Sequence, residues 1–226
     1  MMERIYSFTY DQLKVLLLGY GYNKVAGLNI ANATLENEQA LNALNELSKS
    51  GFIFSDGESF EVDSEIKRII SCLGESSGYM VVHSNSLSLP DKCLFLSDKV
   101  LMCNSRNNDK THICAQYIGY EDVFSSFLDE GYVPAQDSDF VLDEAELVEY
   151  EKEIFLDYRP NDALSSSSSV LFSVEELSID SQLLRYMRVV DYYFYTYIVY
   201  YDGENTTREL YSKENIKNYF EKMINI

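Results

Sequence analysis

Val189-Val190-Asp191-Tyr192-Tyr193-Phe194-Tyr195-Thr196-Tyr197-Ile198-Val199-Tyr200-Tyr201 is the most telling segment of the chain. β-Branched and aromatic side chains fill it almost completely, which is the composition of a long strand. Side chains alternate along a strand, so Tyr193, Tyr195, Tyr197, Val199 and Tyr201 are expected on one face. Tyr192, Phe194, Thr196, Ile198 and Tyr200 are expected on the other. A tyrosine ring is apolar and its hydroxyl is wet, so these faces suit either a sheet roofed by helices or a surface that grips another protein. A roof lies close by in sequence. After a turn at Asp202-Gly203-Glu204-Asn205 and a strand over 206–211, a helix capped by Ser212 carries Ile216, Tyr219, Phe220, Met223 and Ile224 on one stripe. That stripe needs an apolar surface, and at least one face of the aromatic strand can supply it.

Working back toward the N-terminus, period-two alternation marks strands over 79–83, 92–96, 99–103 and 111–117, separated by turn-rich pieces. They read as an antiparallel meander, and the sheet resumes at 170–174. Val123, Phe124, Phe127 and Leu128 make an amphipathic helix closed by Gly131 and Pro134. Asp143 with Glu146 starts a further helix that reaches Tyr158 and stops at Pro160, inside an acidic stretch that is either a solvated face or a means of steering a basic partner. The serine run 165–169 reads as a flexible loop.

The first third has its own order. Thr9 and Gln12 form a capping box ahead of Leu13, Leu16 and Leu17. Thr34 is expected to cap a second helix, with Ala40, Leu41, Leu44 and Leu47 on its buried side and Gly51 at its end. Phe52-Ile53-Phe54 and Phe60-Glu61-Val62 flank an Asp56-Gly57 turn, and Asp63 starts a helix bearing Ile66, Ile69, Ile70 and Leu73. Helix, turn, helix, small hairpin, helix is the order of a winged-helix module. Such a module reads DNA with basic side chains, yet the helix before the hairpin offers Glu36, Glu38 and Glu46 against Lys49, and the hairpin offers Asp56, Glu58 and Glu61. An architectural or protein-docking role fits this chemistry better.

Composition points the same way. The 226 residues carry a formal net charge of -19 and a pI near 4.4. Affinity for a phosphate backbone comes from Lys and Arg displacing counterions, so nucleic acid and anionic membrane are poor partners. No apolar run is long enough to span a bilayer, and the start lacks the basic-then-apolar order of a signal peptide, so a cytosolic protein is expected.

Catalytic chemistry finds little to work with. His83 and His112 both sit in strand-like runs, and no nucleophile elbow, phosphate-binding loop, zinc-protease helix or calcium loop is present. Cys114 and His112, two apart on one strand face, are the one conceivable thiolate-imidazole pair. Cys72, Cys93, Cys103 and Cys114 are too scattered for a disulfide framework, and none has the C-x-x-C spacing by which one loop offers two thiolates to zinc. They are expected to pack as small hydrophobes.

An acidic chain with Leu41, Leu44, Leu47 and Gly51-Phe52-Ile53 in a winged-helix-like start, followed by an antiparallel sheet with interleaved helices and a closing 192–211 hairpin and helix, resembles the EspG family of type VII secretion chaperones in element order and size. The resemblance implies a cytosolic adaptor that holds a helical secretion substrate through a central sheet and a helical bundle. It carries over no individual residue.

The expectation is an α+β fold: a winged-helix-like module over 1–75 and an antiparallel sheet with covering helices over 76–226, either as two units or as one continuous domain. The function expected is a non-enzymatic adaptor or chaperone with no metal or cofactor and another protein as partner, touched through Tyr193, Tyr195, Tyr197 and Tyr201. The alternative is a winged-helix transcriptional regulator.

Overall fold

The computed structural model describes residues 4–28, 35–55, 59–86, 88–105, 112–134, 168–192 and 195–224. In chain order its elements are β1 (Tyr6–Thr9), α1 (Tyr10–Gly19), α2 (Asn37–Lys49), β2 (Ile53–Ser55), β3 (Phe60–Val62), α3 (Ser64–Glu75), β4 (Gly78–Ser84), β5 (Lys92–Leu96), β6 (Val100–Ser105), β7 (His112–Ile118), α4 (Tyr120–Asp129), β8 (Ser168–Ser178), β9 (Leu183–Tyr192), β10 (Tyr195–Tyr201), β11 (Thr206–Leu210) and α5 (Lys213–Ile224). The fold is α+β. Among the described residues nine strands form an antiparallel sheet in the order β1-β7-β6-β5-β4-β8-β9-β10-β11, and β2 pairs with β3 in a separate two-stranded sheet.

The aromatic stretch is two strands rather than one. β9 and β10 pair antiparallel with Tyr192 opposite Tyr195 and Tyr186 opposite Tyr201, so the chain direction reverses between Tyr192 and Tyr195. Its strand propensity continues without a break through that point and no Asn-Gly or Asp-Gly signal marks it, which is why the reversal is invisible in the sequence. A cross-strand hydrogen bond from Thr196 Oγ1 to Asp191 Oδ1, 3.1 Å, closes the pair near the reversal.

One face of the sheet, from β1 to β4, is covered by α1 and α3 with Val25, Ala26 and Leu28, and buries Phe8, Phe95, Leu101 and Tyr117. The opposite face is covered by α4 and α5. Ile198 and Tyr200 of β10 meet the Ile216, Tyr219, Phe220, Met223 and Ile224 stripe there, so the closing helix finds its apolar surface on the aromatic hairpin. Phe127 stands edge-on to Phe220, centroids 5.7 Å apart, joining α4 to α5.

Local signals explain the element ends. Thr9 Oγ1 accepts from Gln12 N at 3.2 Å while Gln12 Oε1 accepts from Thr9 N at 2.8 Å, the reciprocal capping box that starts α1. Asp63 caps α3 by accepting from the amides of Glu65 and Ile66. Thr34 lies outside the described residues, and the cap of α2 is Glu36, boxed with Gln39. Leu41, expected in the core, is 62% exposed; Ala43 and Leu47 take the buried side of α2 and Leu44 is half-buried. The helix expected over 143–158 lies outside the described residues. Of the serine run, 165–167 also lies outside them, while Ser168 and Ser169 begin β8.

The first element was not anticipated. β1 pairs with β7, Tyr6 opposite Ala115 and Phe8 opposite Ile113, so residues before α1 form an edge of the large sheet. Leu13, Leu47, Ile66 and Ile70 share one core with Phe95, Leu101 and Tyr117, and the packing is continuous across residue 75.

Candidate functional site

Register settles which side chains of the aromatic hairpin share a face. Tyr186, Arg188 and Val190 of β9 align with Tyr201, Val199 and Tyr197 of β10, and Tyr195 aligns with Tyr192. Tyr186, Val190 and Val199 form a small core of their own, with Val170 and Tyr201 packed against it. The rings pair along this face: Tyr186 with Tyr201 at 5.4 Å, and Tyr195 with Tyr197 at 6.2 Å. The Arg188 guanidinium lies over the Tyr186 ring at 4.4 Å and its Nη2 donates to Glu175 Oε1 at 2.7 Å. Tyr195 and Tyr197 are buried, Tyr201 is half-buried with its hydroxyl on the Gly203 carbonyl at 2.6 Å, and Tyr193 lies outside the described residues. Among the described residues of the four expected to touch a partner, Tyr201 has ring surface to offer. The ion pair and Tyr186 were not singled out from the sequence; the strand arginines Arg185 and Arg188 opposite Glu175 and Glu176 were the available signal.

The cysteine and histidine groups separate. Cys93 lies opposite Cys103 and Cys103 opposite Ala115, on the face that α1 and α3 cover, whereas Cys114 lies opposite Asn104 and Ser7 and therefore points the other way with His112. Cys93 Sγ donates to the Gly27 carbonyl at 3.3 Å, and burial pushes its thiol up to about 12. Burial also raises Cys103 well above the ordinary thiol range, and Cys72 upward. Thiols so protonated are poor nucleophiles. The Cys114 thiol lies 4.0 Å from Ser7 Oγ. Among the described residues no group of three or more His, Cys, Asp or Glu side chains is placed to hold a metal ion.

The outer side of α2 exposes Glu36, Glu38, Asn42, Asn45, Glu46 and Lys49. A cleft of about 470 Å³ separates this helix from the start of α1, lined by Thr9, Tyr10, Asp11, Gln39, Asn42, Ala43 and Glu46. Gln12 Nε2 donates to Glu46 Oε2 at 3.1 Å across it. Carboxylates and amides in such a cleft suit a cationic or polar group and repel phosphate. Among the described residues no helix is long and apolar enough to cross a membrane.

No protein-family model matches the chain, and no curated protein matches its sequence. Among solved structures it is similar to the Mycobacterium tuberculosis type VII secretion system chaperone EspG5, whose structure was determined in complex with a PE25-PPE41 dimer. The match covers 96% of this chain and 95% of that one, with a TM-score of 0.57 at 10% identity. The resemblance carried by element order and size is therefore a likeness of fold that spans nearly the whole chain.

Proposed function

We propose that the chain is a non-enzymatic adaptor or chaperone that holds another polypeptide in the cytosol, its partner being a helical substrate of type VII secretion. The observation that carries this reading is the fold shared with EspG5 over 96% of the chain. Three features support it. The net charge of -19 suits a polypeptide partner rather than nucleic acid or anionic lipid. Next to the β11 edge of the sheet lies an aromatic hairpin whose Tyr201 reaches the surface, with Tyr195 and Tyr197 buried on the same face. Three of the four thiols are held protonated by burial, which does not suit nucleophilic catalysis.

The test is co-expression with the small helical proteins encoded beside its gene, followed by size-exclusion chromatography with light scattering. A stoichiometric complex that survives the column supports the reading. If the folded chain elutes alone beside every such protein, the chaperone reading is wrong. Retention on duplex DNA at low salt would instead favour the winged-helix regulator.

A further inference from the structure

At one end of the sheet the β8-β9 turn and the β10-β11 turn meet, and three large aliphatic side chains stand in water there. Ile179, Leu183 and Leu184 are 41%, 38% and 42% exposed. A β-bulge creates the arrangement: Glu176 pairs with Arg185 but Leu177 pairs with Leu183, so Leu184 is the extra residue on its strand. A bulge re-aims a side chain that the regular pleat would direct elsewhere. A side chain on Gly203 would begin 3.5 Å from the Leu184 carbonyl, which sets the second turn directly against the first.

The patch is held firmly. Ser181 adopts φ 61, a left-handed backbone that non-glycine residues rarely take. Its hydroxyl lies 3.2 Å from the Tyr79 hydroxyl, and Lys24 pairs with Asp180 at 3.5 Å. Several backbone amides of the two turns are bonded inside the chain: Ser178 N donates to Gln182 O, Ser181 N to Ser178 O, Ile179 N to Ser77 O and Asp202 N to Asn205 O. The Asp202 carboxylate takes the amides of Glu204 and Asn205. The patch itself is made of side chains, and the turn amides named above are already bonded within the chain. A helix brings its backbone bonds with it.

Charge narrows the partner further. Asp202 and Glu204 of the second turn put negative charge beside the patch, while Asp180 of the first is balanced by Lys24. The neighbouring cations are already engaged: Lys24 with Asp180, Arg185 with Glu176, and Lys222 over the Tyr219 ring. We infer that this end of the sheet is a docking surface for an amphipathic helix with an aliphatic stripe flanked by Lys or Arg. The inference rests on the adaptor reading and names the chemistry of the partner segment.

The probe is a labelled helical peptide of leucine and lysine, titrated against the full chain by fluorescence anisotropy. Two controls are a leucine and glutamate peptide with the same aliphatic stripe and a leucine and lysine peptide broken by proline. Ile179→Ser and Leu184→Ser, both at exposed positions, are each expected to weaken binding of the leucine and lysine helix by about fivefold to tenfold. Leu41→Ser, exposed on α2, is expected to leave it unchanged, and unaltered circular dichroism confirms folding of all three. Equal binding by the patch variants and the parent, or equal binding of either control peptide, overturns the inference. The adaptor reading is judged separately: a gene-neighbour complex that persists in both patch variants rejects this surface while keeping the adaptor.

Discussion

Arg185 on β9 donates through Nη2 to the main-chain carbonyl of Met223, 3.0 Å away at the C-terminal end of α5, while its Nε donates to Glu176 on β8. One guanidinium thus binds two strands to the helix that roofs the aromatic hairpin. The last carbonyls of a helix lack partners within it, and the negative end of its dipole favours a cation. A planar fork of fixed donors can meet a carboxylate and a carbonyl together, which an ammonium does less well.

Arg185→Met keeps the stem and removes the donors. It leaves the Glu176 carboxylate, 23% exposed, without its counter-ion and the end of α5 unbound. The expected loss is about 2 to 3 kcal/mol by urea denaturation. Restoring Glu176→Gln in the same chain should recover part of it, because the stranded charge is then gone. A loss below about 0.5 kcal/mol would show that the contact is an exposed ion pair of little weight.

Lys92 predicts an asymmetry. Its ammonium is buried between the Phe127 and Tyr132 rings, at 5.5 and 4.9 Å, and meets Glu130 at 2.7 Å. The Glu130 side chain is 41% exposed, so water can solvate it if the lysine is replaced. Lys92→Met, which fills the same apolar slot, should change stability by less than about 1 kcal/mol. Glu130→Ala strands the ammonium in the core and should cost about 2 kcal/mol. Chemical denaturation of the two variants checks the order, and a Lys92→Met loss larger than that of Glu130→Ala would contradict this account.

Much of this fold is written locally. Thr9 with Gln12, Asp63 and Ser212 mark helix starts by chemistry that acts over three residues, and each forms the bonds expected of it. What escaped reading depends on distant partners. Tyr6-Ser7-Phe8-Thr9 is too short to signal a strand and becomes one because β7 offers an edge. The reversal after Tyr192 has no turn residue of its own, and the periodicity that groups Leu41 with Leu44 and Leu47 does not say which side of α2 meets the core, where Ala43 and Leu47 are buried and Leu41 is not. The same limit applies to the site. The tyrosines were legible as a class, but which are sealed is a matter of register and covering layers, and the Ile179, Leu183 and Leu184 patch exists only because the pairing slips at Leu184.

Gly27 and Gly74 give a paired test of close approach. A Cβ on Gly27 would lie 2.4 Å from the Tyr79 ring, and its φ of +72 disfavours any side chain. Tyr79 is buried against Phe95 and cannot retreat, so Gly27→Ala should cost about 3 kcal/mol. A Cβ on Gly74 would lie 2.3 Å from the Tyr22 ring, but that ring is only half-buried and can swing outward. Gly74→Ala loses the Tyr22 to Glu75 hydrogen bond and gains about 1 kcal/mol of helix propensity, for a net effect near zero. Thermal melts of both variants decide the matter; equal losses would mean that ring mobility plays no part.

The buried thiols and phenols make the fold sensitive to base. Burial, with a smaller push from Asp91, raises Cys93 from 9.0 to about 12, and burial moves Cys103, Tyr117 and Tyr132 in the same direction. Each group keeps its proton in the folded chain at a pH where the unfolded chain has released it. Their stabilisation is therefore intact below the unfolded thiol value near 9 and drains away as pH climbs toward 12. Lys92 acts oppositely: burial holds its ammonium below the ordinary 10.5, so the folded chain carries fewer protons over that interval and gains stability with rising pH. Burial raises Cys72 as well, so this one group is outnumbered and the sum is a loss. Urea midpoints should be level between about pH 7 and 8.5 and fall by at least about 2 kcal/mol of stability by about pH 11, with Cys93→Ala showing a shallower decline. A midpoint that holds or rises over that range would mean that these groups are not sealed from water in the native protein.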